Sequence, residues 1–218
     1  MDERTGPLGA WDAPDLGAAE FAAALQEHRA DVDARFAALG FGPDVAAATL
    51  ADVPRKLAAY GTTGPVAIDV RWLRGLARAD VVALGRLQFE RTARDGRHAV
   101  HVPEGGPLTD ADLDASFASA RELLGARAFS CHSWLLDPLL EALGPGSGVV
   151  RFARRFCVAT VARDADADRA VAKFVFRDTP DAVRSGAAVP RTRLARLVAD
   201  RLRAGGHWAQ PLGFSRPA

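Results

Sequence analysis

The chain is short of the residues that most readily advertise a chemistry. It has two cysteines, Cys131 and Cys157, one tyrosine, Tyr60, and two lysines, Lys56 and Lys173, in 218 residues. Two cysteines are too few for a disulfide framework. His98 and His101 stand three positions apart, but in a predicted strand they point to opposite faces, so no metal site is expected. A net charge of +1 gives no bulk electrostatic reason to bind nucleic acid. No apolar run reaches the roughly 18 residues that a membrane span needs. The N-terminal residues Asp2, Glu3 and Gly6-Pro7 do not read as a basic and apolar signal peptide. These absences predict a cytoplasmic protein with reduced thiols and no membrane or nucleic-acid partner. With 49% apolar residues there is ample material for a core, and the length suits one domain or one domain with an appendage. The basic side is almost all arginine, which together with abundant alanine reads as a composition bias.

Residues 1–14 are punctuated by Gly and Pro and read as a loose lead-in. Phe21, Leu25, Val32, Phe36 and Leu39 recur at helical spacing and predict a helix over 15–39, with His28 at the edge of its buried stripe. A second helix is expected over Asp44–Val53, interrupted by Pro54 and resumed over Arg55–Tyr60. Residues 66–79 carry both periods and are read as a short strand followed by a helical turn. From residue 81 the pattern predicts a strand over 83–91, with Arg86, Gln88 and Glu90 on one face, as either a solvated edge or a cleft wall. A turn at Asp95-Gly96 leads to a strand over 97–103, completing a hairpin. Thr109 caps a helix whose buried stripe is Leu113, Phe117, Ala120 and Leu124. Its first turn carries Asp110, Asp112 and Asp114, which oppose anion binding there. Two long strands, 149–162 and 170–177, are expected around an acidic turn at 164–168. A loop follows over 178–189, then a helix over 190–204 and a short tail exposing His207-Trp208.

The densest stretch is Phe129-Ser130-Cys131-His132-Ser133-Trp134-Leu135-Leu136-Asp137-Pro138. Alternation predicts a strand with Phe129, Cys131, Ser133 and Leu135 on one face and Ser130, His132, Trp134 and Leu136 on the other. Asp137 caps the helix that follows, and Pro138 suits its first turn. Cys131 and His132 are adjacent and point apart. His101 on the neighbouring strand is therefore the better partner for a Cys–His pair.

The order of elements from residue 81 is similar to the C-terminal two-thirds of the GNAT superfamily of acyl-CoA-dependent N-acyltransferases. The words Leu84-Gly85-Arg86-Leu87-Gln88-Phe89-Glu90, His101-Val102-Pro103-Glu104-Gly105, Cys131-His132-Ser133-Trp134-Leu135-Leu136-Asp137-Pro138 and Gly206-His207-Trp208 resemble bacterial GNAT-like acyltransferase-domain proteins over roughly residues 50–214. The resemblance implies an α/β fold, a GNAT-like mixed sheet flanked by helices, with an N-terminal helical segment (1–61), the acyltransferase domain (62–218) and an extra C-terminal helix. It implies acyl-CoA or CoA as co-substrate and a small-molecule or peptide amine as acceptor, with a carrier-protein thioester as an alternative donor.

Carried onto this chain, His101, Val102, Gly105, Gly106 and Thr109 would line the cofactor, and Arg86, Gln88 and Trp134 the substrate. Glu90 would take a proton from the amine, and Cys131, His132 or Ser133 would protonate the departing thiolate. Two departures stand out. The family's Gln/Arg-x-x-Gly-x-Gly/Ala loop is replaced by Glu104-Gly105-Gly106-Pro107-Leu108-Thr109, and the only tyrosine lies in the N-terminal helices. They point toward a non-catalytic GNAT-shaped binding module as the second reading. Acyl transfer through a Cys131 nucleophile is the third.

Overall fold

A computed structural model describes residues 8–215. The lead-in up to residue 7, including Asp2, Glu3 and Gly6-Pro7, lies outside the described residues. Two compact units are present: one runs up to Leu84 and includes Glu90–Thr92, and the other comprises Gly85–Phe89 and the chain from Ala93 onward. Among the described residues no helix is long and apolar enough to cross a membrane.

The first unit holds α1 (Ala18–Glu27), α2 (Arg29–Ala38), α3 (Pro43–Leu50), α4 (Asp52–Tyr60), α5 (Val70–Ala77) and strand β1 (Val81–Leu84). The expected helix over 15–39 is broken at His28, where one helix ends and the next begins. Pro54 does not interrupt its helix; it sits in the first turn of α4, where its missing N–H costs nothing. The short strand expected near residue 66 is not formed. Asp69 instead accepts the N–H of Arg71 and caps α5. A division at residue 61 falls between α4 and α5, both in this unit. Trp11, Phe21, Val32, Phe36 and Leu73 are buried. The fully buried Asp12 is paired with Arg74 and Arg78 at 3.3 and 2.7 Å, which satisfies a charge that would be costly alone. Thr49 ties α3 to β1 by accepting the N–H of Ala83 at 2.8 Å.

The second unit is built on a mixed sheet. Its elements are β2 (Leu87–Glu90, in this unit through Phe89), β3 (His98–His101), α6 (Asp110–Leu124), β4 (Phe129–His132), α7 (Gly148–Ala153), β5 (Phe156–Val158), α8 (Ala165–Phe176), α9 (Pro180–Ser185), α10 (Arg193–Arg203) and β6 (Leu212–Ser215). Strand order within it is β2-β3-β4-β6-β5. β2 and β3 are antiparallel, β3 and β4 parallel, and β6 is antiparallel to both β4 and β5. The parallel step through α6 is the crossover that the sequence predicts.

Several expectations are corrected. The strand over 83–91 is two strands separated by Gly85-Arg86. The two long strands over 149–162 and 170–177 do not exist: the first region is α7 followed by the three-residue β5, and the second is α8. The acidic segment is a helix start, with Asp164 accepting the N–H of Ala167 and Asp166 and Asp168 in the first turn, where negative charge suits the helix dipole. Pro180–Ser185, expected as loop, is helical, with Thr179 as cap. The tail after α10 contains β6, inserted between β4 and β5. Gly213 in β6 has no room for a side chain, because a Cβ there would stand 2.6 Å from Leu136 Cδ1. Trp208, expected to be exposed, is fully buried in a cluster with Trp134, Leu140, Val171 and Val198.

Candidate active site

Register decides which side chains of the second unit share a face. Ser130 pairs with Phe214 and Phe214 with Cys157; Cys131 pairs with Gly213 and His132 with Leu212. Paired residues project to the same side and neighbours along a strand to opposite sides. One face therefore carries Phe89, Val100, Phe129, Cys131 and Phe156. α6 covers it, with the Phe117 ring 4.9 Å from Phe129 and 5.8 Å from Phe89. The other face carries Gln88, Ala99, His101, Ser130, His132, Phe214, Leu212 and Cys157. Gln88 is buried and His101, Ser130 and Phe214 are half-buried, whereas His132, Leu212 and Cys157 are exposed.

β3 changes partners along its length. Its first two residues pair with β4, His98 with Phe129 and Ala99 with Ser130. Its last two pair with β2, Val100 with Phe89 and His101 with Gln88. The β3–β4 ladder thus stops at Ala99 and Ser130 while both strands continue. His101 and His132 each lie two residues past that last rung, on the same face, one on either side of the opening. An opening between parallel strands exposes backbone amide groups to an extended ligand, and two imidazoles stand at its mouth.

The candidates from the sequence divide accordingly. Cys131 does not join His101: it lies on the helix-covered face, 2% exposed, and burial pushes its thiol up to about 12. A thiol that stays protonated and enclosed is no nucleophile, so the Cys–His pair is corrected. Trp134 packs into the core, 8% exposed. Ser133 leaves the strand; its hydroxyl accepts the N–H of Leu135. Glu90 ends β2, half-buried, and is counted with the first unit. Val102 lies just past β3 and is half-buried.

Gly105 and Gly106 lie in the connection to α6, with φ of 106° and 46°. Thr109 caps α6, accepting the N–H of Asp112 and donating to its carboxylate at 2.6 Å. The acidic first turn is countered, because Arg155 pairs with both Asp110 and Asp114. Arg86 is not in a strand and does not flank Gln88. Its guanidinium reaches into the 103–107 loop and donates to the carbonyls of Pro103, Gly105, Gly106 and Pro107. The sequence offered no sign of this, because the partner residues lie 17 to 21 positions away. Phe214 and Leu212 were also missed, since β6 was read as tail.

Residues 81–215 match the family model described as the GNAT-like C-terminal domain. No curated protein matches the sequence. Among solved structures, the chain is similar to an acyltransferase in complex with CoA and 10C-teicoplanin, at 27% identity and a TM-score of 0.72, over 92% of this chain and 65% of that one. It is similar to a mutant acyltransferase in complex with octanoyl-CoA, at 30% identity and a TM-score of 0.74, over 92% of this chain and 66% of that one. An acyltransferase in complex with decanoyl-CoA and teicoplanin is 27% identical, with a TM-score of 0.70, over 92% of this chain and 65% of that one. The chain thus spans about two thirds of the length of the acyltransferases it resembles.

Proposed function

The chain belongs to the family of GNAT-like C-terminal domains, and we propose that it transfers an acyl group from an acyl-CoA to an amine of a small molecule or peptide. The observation that carries this reading is the interrupted β3–β4 ladder with His101 and His132 at its mouth, in a fold similar to acyltransferases that bind CoA, octanoyl-CoA and decanoyl-CoA. The amide-rich pantetheine arm fits the backbone of β3 beyond Ala99, and the diphosphate fits the loop at Gly105-Gly106 with the start of α6.

In this reaction the amine nitrogen loses a proton as its bond to the acyl carbon forms, and the thiolate sulfur gains one as the carbon–sulfur bond breaks. A base and an acid are therefore needed on opposite sides of one carbonyl. His132 is the proton-transfer group that the geometry favours: it is exposed, it lies on the same face as His101, and its strand borders the opening. Glu90 is the carboxylate offered as base, a role that its substitution tests. A non-catalytic binding module is the second reading, favoured by the departure of Glu104-Gly105-Gly106-Pro107-Leu108-Thr109 from the family's phosphate loop and by the placing of the sole tyrosine, Tyr60, in α4.

Calorimetric titration with CoA and octanoyl-CoA, paired with thiol release across an amine panel that includes teicoplanin, tests the proposal. Saturable binding and amine-dependent release are expected. Glu90→Gln should slow release while leaving CoA affinity nearly intact. Binding without release, unchanged by Glu90→Gln, selects the binding module. No CoA binding at millimolar ligand by folded protein defeats the acyl-CoA reading.

A further inference from the structure

The loop that replaces the family's Gln/Arg-x-x-Gly-x-Gly/Ala segment lacks an internal side chain of that kind to shape it. One guanidinium from elsewhere in the chain does so instead. Arg86 Nη1 donates to the Pro103 carbonyl at 2.9 Å, Nη2 to those of Gly105 and Gly106, and Nε to that of Pro107 at 3.3 Å. The arginine is itself anchored. Its backbone N–H donates to Ser116 Oγ at 2.8 Å, and that hydroxyl donates to the Asp112 carbonyl within α6 at 2.7 Å. Gly85, at φ 65°, permits this approach, since a Cβ there would stand 2.7 Å from Ser116 Oγ. The turn between β1 and β2 is thus fastened to the helix whose first turn follows the loop.

This has a directional consequence. The described peptides are all trans, and in a trans peptide the carbonyl and the next residue's N–H point opposite ways. Carbonyls of Pro103 and Gly105 drawn toward Arg86 turn the N–H groups of Glu104 and Gly106 away from it. Both glycines hold positive φ, a conformation that glycine adopts without strain and that lets the loop turn its carbonyls toward one guanidinium. We infer that Arg86 is a positioning residue for the donor's diphosphate: it collects the loop's carbonyls on one side so that its amides face the anion together with the first turn of α6. The inference rests on the acyl-CoA reading, and it reassigns Arg86 from the substrate contact expected in the sequence.

The test compares a ligand that has the diphosphate with one that lacks it. Octanoyl-CoA and S-octanoyl-pantetheine are titrated by calorimetry into the wild-type chain, Arg86→Ala and Arg86→Lys, with near-ultraviolet circular dichroism recorded for each. Arg86→Ala should weaken octanoyl-CoA by about tenfold or more, because charge-assisted bonds fix the loop. It should change S-octanoyl-pantetheine less than about twofold. Arg86→Lys keeps the charge but not the planar fork, so it should recover only part of the loss; it also decides the matter if the alanine variant does not fold. Equal losses for both ligands would reduce Arg86 to general structural support. A lysine variant equal to wild type would replace loop geometry by simple charge attraction. If wild type binds octanoyl-CoA and the variants match it, only the role of Arg86 falls. If wild type does not bind it, the acyl-CoA reading falls and the inference with it.

Discussion

The two faces of the second unit's sheet are made by the same few strands, residue by alternate residue, yet they have opposite character. Under α6, Phe89, Phe117, Phe129 and Phe156 form a continuous set of ring contacts, and Cys131 is enclosed with its thiol pushed up by burial. On the other face His101 and Ser130 are half-buried, and His132, Leu212 and Cys157 are exposed. The first face holds the sheet together; the second leaves His132 and Cys157 open to solvent. The difference teaches that proximity in sequence says little about shared chemistry in a strand. Cys131 and His132 are neighbours and belong to different faces, whereas His101 and His132 are 31 positions apart and share one.

Removing one residue from each face gives the sharpest test. Phe129 is 1% exposed and its ring lies 4.9 Å from that of Phe117. Phe129→Ala should therefore destabilise the protein by about 3–5 kcal/mol, through lost burial and the cavity left behind. Urea unfolding followed by circular dichroism reads this, and a loss below about 1 kcal/mol would contradict an enclosed face. His132→Gln should leave the urea midpoint nearly unchanged and slow acyl transfer by about a hundredfold. Thiol-release kinetics measure it. If the glutamine variant retained full turnover, His132 would be an ordinary surface residue and the comparison would lose its functional half.

Much of this division was legible in the chain. Alternation assigned Phe129 and Cys131 to one side and Ser130 and His132 to the other, and Thr109 with the Leu113, Phe117 and Ala120 stripe marked α6 correctly. The offset between strands was not legible. Whether Cys131 meets His101 depends on a register that neither strand encodes alone; backbone pairing of Ala99 with Ser130 puts the two on opposite faces. The region 149–177 misled for a local reason. Phe174 and Phe176 alternate like a strand, but the cap at Asp164 and the Ala167, Val171 and Ala172 stripe carry the helix, and Phe174 is 42% exposed. β6 is four residues long with Gly213 inside it, too short for a periodic signal. Its pairing on both sides makes it a strand, which is a non-local fact. The Arg86 loop contact was hidden for the same reason.

The two cysteines offer a finer version of the face comparison. β6 lies between their strands, so Cys131 and Cys157 are separated by two strand spacings, about 10 Å, beyond the reach of a disulfide. Cys157 is exposed and Cys131 buried. A maleimide at neutral pH should therefore label Cys157 in the native protein and Cys131 only on unfolding. The raised thiol also makes a pH prediction with a definite sign. Unfolded, Cys131 ionises near 9.0; folded, at about 12. Below 9.0 both states hold the proton and the thiol adds no pH dependence. Between 9.0 and about 12 only the unfolded state releases it, so stability falls as pH rises, by up to about 1.4 kcal/mol per unit. Cys131→Val removes the titrating group at similar volume. Its stability above pH 9.0 should decline less steeply than that of wild type, with the two curves parallel below it. Urea midpoints measured from pH 7 to 10.5 compare them (about half a dozen points suffice). Parallel curves throughout would mean that the Cys131 thiol meets water, and the covered face would then be open at its centre.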